Sequence, residues 1–269
     1  MKFLLMNVRR TVFSKKMLLS FLLAFSCILI GNMVAFNGIY KLEGLSLFFA
    51  GSTIRGFSPI SLVAAVISAI PIADRVIEDS KNHFLRLQLQ RTSRIKYIWT
   101  LLVTAGISGF LSLFLPYFLL LVANLCLTPY KEIYIGDYQG VFKSIFDSNQ
   151  LVYSILITIW YGIFGSVFAV FGLASSLAFR QKIVGVFFPC LYMILGGLFF
   201  ALLDLSFLEP VGIFSWGYQF QLIFLIVFLP LLCIFTCLFF TSDAAHSPFL
   251  LLSRTAPISK QKITLLNNT

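Results

Sequence analysis

The sequence predicts an all-α integral membrane protein, with an amphipathic N-terminal helix in the membrane interface followed by six spanning helices, and with both termini in the cytoplasm. Three observations carry that prediction. Of the 269 residues, 59% are hydrophobic and 11% charged, whereas a soluble domain has roughly 25% charged residues. Apolar runs near the ~20 residues that a spanning helix needs recur along the chain. Lysine and arginine flank those runs instead of gathering on one solvent-exposed patch, so the net charge of +10 is not the footprint of a nucleic-acid binder and no nucleic-acid partner is expected.

The predicted spans are 17–36, 57–73, 98–127, 151–179, 183–203 and 220–240, within a single membrane domain covering 1–240. Residues 1–16 hold Lys2, Arg9, Arg10, Lys15 and Lys16 and are too polar to span. Their apolar Leu5, Val8 and Val12 share one helical stripe and Asn7, Arg10 and Ser14 another, as in a helix lying along the interface. The run that follows is too long for the apolar region of a signal peptide and is read as a retained first helix. The second span begins near Pro59 and ends by Pro71; Pro116, Pro189 and Pro230 lie inside later spans and predict kinks. Residues 37–56 and 128–150 are read as short outer loops, and 241–269 as a cytoplasmic tail.

Orientation follows from the retention of basic residues on the cytoplasmic side. Five Lys and Arg occur in 1–16, six in 73–97, two in 180–182 and three in 241–269, leaving four of the twenty for the opposite segments. A multi-pass protein of the cell membrane with cytoplasmic termini is the consequence.

Catalytic and metal-binding constellations are missing from the spans. Cys27, Cys126, Cys190, Cys233 and Cys237 fall in apolar runs without a CxxC pair, and His83 and His246 lie far apart. Ser175 and Ser176 have no intramembrane His or Lys to act as a base and are expected to bond to their own helix. No ionisable residue sits well inside a span, which argues against a proton-coupled carrier. Small residues do recur in the fourth span: Thr158, Gly162, Gly165, Ala169, Gly172 and Ser176 lie on one helical face, a pattern that lets two backbones approach closely. Trp160, Phe164, Phe168 and Phe171 beside this seam are expected to face lipid or a cavity.

The long segment 73–97 places acids first and bases last. Asp74, Glu78 and Asp79 precede Lys81, Arg86, Arg91, Arg94 and Lys96, with His83, Phe84, Leu85, Leu87 and Leu89 between them. Exposed apolar residues in such a loop need a cover, either membrane or partner protein.

This order, with Ser93-Arg94 and Tyr97 leading into the third span, resembles that of the permease subunits of type-2 ABC exporters. The resemblance extends to the six-span architecture and the short turn Arg180-Gln181-Lys182. It departs at Ser80-Lys81-Asn82, where a glycine is common, and at Arg91-Thr92, where a proline is common. The resemblance implies that Glu78, Asp79, His83, Phe84, Leu85, Arg86, Arg91 and Arg94 belong to a coupling element docking on a separate ATP-binding cassette subunit. It also implies a second permease subunit as partner, homodimeric or heterodimeric. No Gly-x-x-x-x-Gly-Lys-Ser/Thr loop occurs here, so ATP and Mg would be bound by the partner subunit and no cofactor by this chain, which is not expected to be an enzyme. The cargo expected in a Phe-rich cavity between two permeases is amphipathic or lipid-like, with peptide export or immunity to antimicrobial peptides foremost. An ion-coupled secondary transporter and a non-transporting membrane immunity or scaffold protein are the alternatives.

Overall fold

A computed structural model describes residues 2–36, 43–52, 59–81, 93–128, 142–179 and 181–203, helical apart from turns, bends and single connecting residues. In chain order the helices are α1 (Lys2–Val12), α2 (Lys15–Phe36), α3 (Gly44–Ser52), α4 (Ile60–Ala69), α5 (Arg75–Lys81), α6 (Arg94–Leu127), α7 (Lys143–Ser148), α8 (Gln150–Phe179) and α9 (Lys182–Leu202). Four of them, α2, α6, α8 and α9, are long and apolar enough to cross a membrane. Their bounds lie close to the first, third, fourth and fifth predicted spans. The sixth prediction, 220–240, and the tail lie outside the described residues.

The second prediction is matched only in part: among the described residues of 57–73, helix α4 has ten residues, about 15 Å of rise, half the ~30 Å hydrocarbon thickness. Beyond it the chain turns through Pro71 into α5. Part of the segment read as an outer loop is instead α3, whose Leu45, Phe48 and Phe49 are buried. Five apolar residues between Gly44 and Gly51 are too few to register as a span, yet enough to make one buried helical face.

Side-chain contacts fix which ends lie together. Ser20 near the start of α2 donates to the Ile67 carbonyl at 2.6 Å, so α4 runs antiparallel to α2. At the far end Asn32 of α2 and Asn124 of α6 exchange two amide hydrogen bonds, 2.9 and 3.1 Å. Nearby, the Gly44 N–H donates to Thr128 Oγ1 at 2.8 Å, and Gly44 takes a φ of 57°, which costs little without a Cβ. Asn149 Oδ1 accepts from the Leu151 and Val152 amides, starting α8.

Helix α8 is the centre of the bundle. In its most apolar stretch 61% is buried, against 22–39% for the other three long helices. Trp160, Phe164, Phe168 and Phe171 are therefore buried in the core, which excludes lipid, the first of the two surroundings (lipid or a cavity) that the sequence suggested. Helix α8 is contacted by α4, α6, α7 and α9, and the exposed apolar side chains Val152, Ile155 and Ile159 lie toward its start. Tyr161 packs on Tyr117 of α6 with ring centroids 4.4 Å apart, and Tyr153 meets Phe49 and Phe146 at the far end.

The small residues explain how α8 reaches its neighbours. All six of the seam are buried, and they serve two contacts. Gly165 abuts Gly109 of α6 so closely that a Cβ on either would collide with the other's carbonyl oxygen. Ser166 adds a 2.9 Å hydrogen bond to the Gly106 carbonyl. A Cβ on Gly172 would lie 2.6 Å from Ala69 Cβ and 2.7 Å from the Gly185 oxygen, bringing α4 and α9 in as well. Ser175 and Ser176 bond to carbonyls of their own helix.

Candidate functional site

Among the described residues, the basic starts of several long helices meet at one end of the bundle. Two of these helices, α2 and α9, begin with lysine and have no acid in their first turn. A lysine at the positive end of a helix dipole is unfavourable unless an anion lies close by. The short turn after α4 delivers that anion. Lys16 Nζ donates to Asp74 Oδ2 at 2.7 Å and to Glu78 Oε1 at 2.9 Å. Lys182 Nζ reaches the same Glu78 Oε1 at 3.0 Å and lies 3.9 Å from Asp74 Oδ2. Two acids thus clasp the starts of α2 and α9 to the segment leading into α5.

Glu78 responds most. Its hydrogen bond from Lys16, reinforced by Lys182 against the cost of partial burial, draws its pKa down to about 2. Asp74 Oδ1 is buried and accepts from no partner among the described residues.

A second set of bonds ties α1 to the same place. Arg10 donates to Asp79 at 3.1 Å, and Asp79 is almost completely buried. Arg75, also buried, donates to the Asn7 carbonyl at 3.2 Å and to Asn7 Oδ1 at 3.0 Å. Burial, with Arg10 nearby, lowers the Arg75 pKa, and Asp79 opposes that shift. Beneath these groups Ile72, Val76, Tyr97, Leu101 and Leu173 form a small apolar cluster with Phe3 packed on it.

Placement of the expected coupling residues is therefore uneven. Glu78 and Asp79 turn toward the bundle and are held by this chain's own cations. His83, Phe84, Leu85, Arg86 and Arg91 lie outside the described residues, as does the side chain of Arg94. Sequence reasoning missed Lys16 and Lys182 as partners of the acids. The signal available was a lysine in the first turn of two spans with no acid of its own. It also left open which way the Asn7 stripe of α1 faces, because an isolated helical wheel cannot register the buried Arg75 that Asn7 meets. Among the described residues no three His, Cys, Asp or Glu side chains are grouped to hold a metal.

Ion pairs join Glu78 and Asp79 of α5 to Arg10 of α1, Lys16 of α2 and Lys182 of α9. Comparison of the chain with protein-family models, with curated proteins and with solved structures finds no match.

Proposed function

We propose that this chain is the membrane-spanning subunit of an ATP-driven exporter, paired with a second permease subunit and coupled through residues 73–97 to a separate ATP-binding subunit. The clasp is the observation that supports this reading. Residues 82–92 are bounded by α5 on one side and α6 on the other, and α5 is ion-paired to the starts of helices at two places in the bundle. A push on that segment would be felt by α2 and α9 at once, which is what coupling requires when two arrangements of the helices differ by a small free energy. ATP and Mg stay in the partner. Cargo of amphipathic or lipid-like character would cross between the two permeases, and the clasped end faces the cytoplasm by the charge rule.

The test is copurification. A tagged chain taken from its native membranes should bring a phosphate-loop ATPase with it. The double change Phe84→Ala and Leu85→Ala should lose that ATPase, or uncouple its hydrolysis from transport, without reducing membrane insertion. Copurification and coupled hydrolysis that survive the double change would remove the loop as coupling element. A chain that brings no ATPase, and whose transport stops when a proton or sodium gradient is dissipated, would be an ion-coupled carrier instead.

A further inference from the structure

Each of the two basic doublets at the N-terminus has one member ion-paired to α5 or to the turn before it. Arg10 and Lys16 are used up by Asp79, Asp74 and Glu78. Their neighbours Arg9 and Lys15 are exposed, and no hydrogen bond or ion pair engages either side chain among the described residues. Leu5, Met6 and Phe13 are exposed as well, by 72%, 53% and 83%.

The inward side of α1 carries buried polar residues beside Phe3. Asn7 and Thr11 are buried, held by the Arg75 guanidinium and by the Thr11 hydroxyl donating to the Asn7 carbonyl. An amphipathic helix resting on a water-soluble core would do the reverse and turn its leucines inward. Here the polar stripe is bonded to the protein, and the outward face combines large apolar side chains with unpaired cations.

That face needs a cover that is apolar at Leu5, Met6 and Phe13 and anionic around Arg9 and Lys15. The first acidic residue in the chain is Glu43, so nothing in α1 or α2 neutralises it. Continuity names the occupant. Directly after Ser14 the chain enters α2, a helix apolar enough to cross a membrane, whose Leu18, Leu19 and Leu22 are exposed. On α6 the exposed Lys96 and Trp99 lie one turn apart, near Tyr97, against whose cluster Phe3 of α1 packs. Tryptophan with lysine at such a level marks the boundary between acyl chains and headgroups.

We infer that the outward face of α1 is a docking surface for the headgroup layer of an anionic bilayer. Leu5, Met6 and Phe13 enter the acyl boundary, and Arg9 and Lys15 bind lipid phosphates. This depends on residence in a membrane and is independent of ATP-driven transport.

The test uses the full chain in vesicles of phosphatidylcholine with an equal part of phosphatidylglycerol. Lipid retained by the protein after mild detergent extraction is quantified. The wild type should enrich phosphatidylglycerol. Each basic side chain near an anionic surface contributes about 5-fold, so Arg9→Gln with Lys15→Gln should cut the enrichment on the order of 10-fold or more. Arg9→Lys with Lys15→Arg should keep it. In a second arm a fluorophore on Phe13→Cys, with the native cysteines replaced, is quenched by lipid-borne nitroxide or by aqueous iodide. Undiminished enrichment in the glutamine pair overturns the inference. So does quenching by iodide alone, which would leave the face open for a protein partner. Should the glutamine pair fail to fold, the fluorophore arm in the charge-conserving variant decides by the same outcomes.

Discussion

Lys182 and Glu78 are 104 positions apart in the chain, yet their side chains meet at 3.0 Å. The same Glu78 oxygen accepts from Lys16, so one carboxylate joins the first turns of α2 and α9. Each side chain is about two-fifths exposed, and exposed ion pairs contribute under about 1 kcal/mol apiece. The clasp is therefore an alignment device more than a source of stability. A double-mutant cycle of Glu78→Gln and Lys182→Gln should give a coupling energy of about 0.5 kcal/mol, measured by thermal unfolding in detergent and weakened by salt. Strict additivity would mean the two groups do not interact.

The clasp should also fail on acidification. Glu78 has its pKa lowered in the folded chain to about 2, from a free value of roughly 4.3. A lowered acid pKa stabilises the fold above the free value, and that contribution is lost as pH falls from roughly 4.3 toward 2. Wild type and Glu78→Gln should differ most in melting temperature near neutral pH and converge across that window. A constant difference down to pH 2 would assign the effect to something other than this carboxylate.

Close backbone approach at Gly109 and Gly165 makes a steric prediction with an internal control. Gly109→Ala or Gly165→Leu must push α6 from α8, at a cost of about 1–3 kcal/mol for overpacking. At Gly106, three residues from Gly109, an added Cβ meets nothing within 4 Å. Gly106→Ala should be neutral or slightly stabilising, since alanine favours helix by up to about 1 kcal/mol. Folded yield and melting temperature of the three variants would reveal any reversal of this order.

The reciprocal amide pair at the far end predicts non-additivity. Asn32→Leu leaves the buried Asn124 amide without its partner, and such bonds within membranes average about 0.6 kcal/mol with a maximum near 1.7. Adding Asn124→Leu should recover part of that loss, because two apolar groups leave nothing unsatisfied. A double variant as unstable as the sum of the singles would show that the pair is not coupled.

Orientation can be checked at described positions on opposite ends. With native cysteines removed, a cysteine at the exposed Asp147 beside α8's start should react with an impermeant reagent on intact cells. One at Lys15 should react only after permeabilisation. The opposite pattern would invert the assignment.

Four long helices were legible in the amino-acid order because a spanning segment is defined by its own contiguous hydropathy, summed locally. The gathering of basic segments at one end was legible for the same reason: alternate ends of successive spans share a side. Other features depended on partners distant in the chain. Helix α3 is too short for any hydropathy window and exists through burial of Leu45, Phe48 and Phe49 against α2, α6 and α8. Neither the orientation of α1 nor the enclosure of Trp160 and its aromatic neighbours follows from a helical wheel, which knows nothing of Arg75 or of how many helices surround α8. The sequence by itself determined which of the described segments are long and apolar enough to cross a membrane. Tertiary structure alone decided that Glu78 serves Lys16 and Lys182 together, because an ion pair depends on distance in space and these three residues share no local pattern.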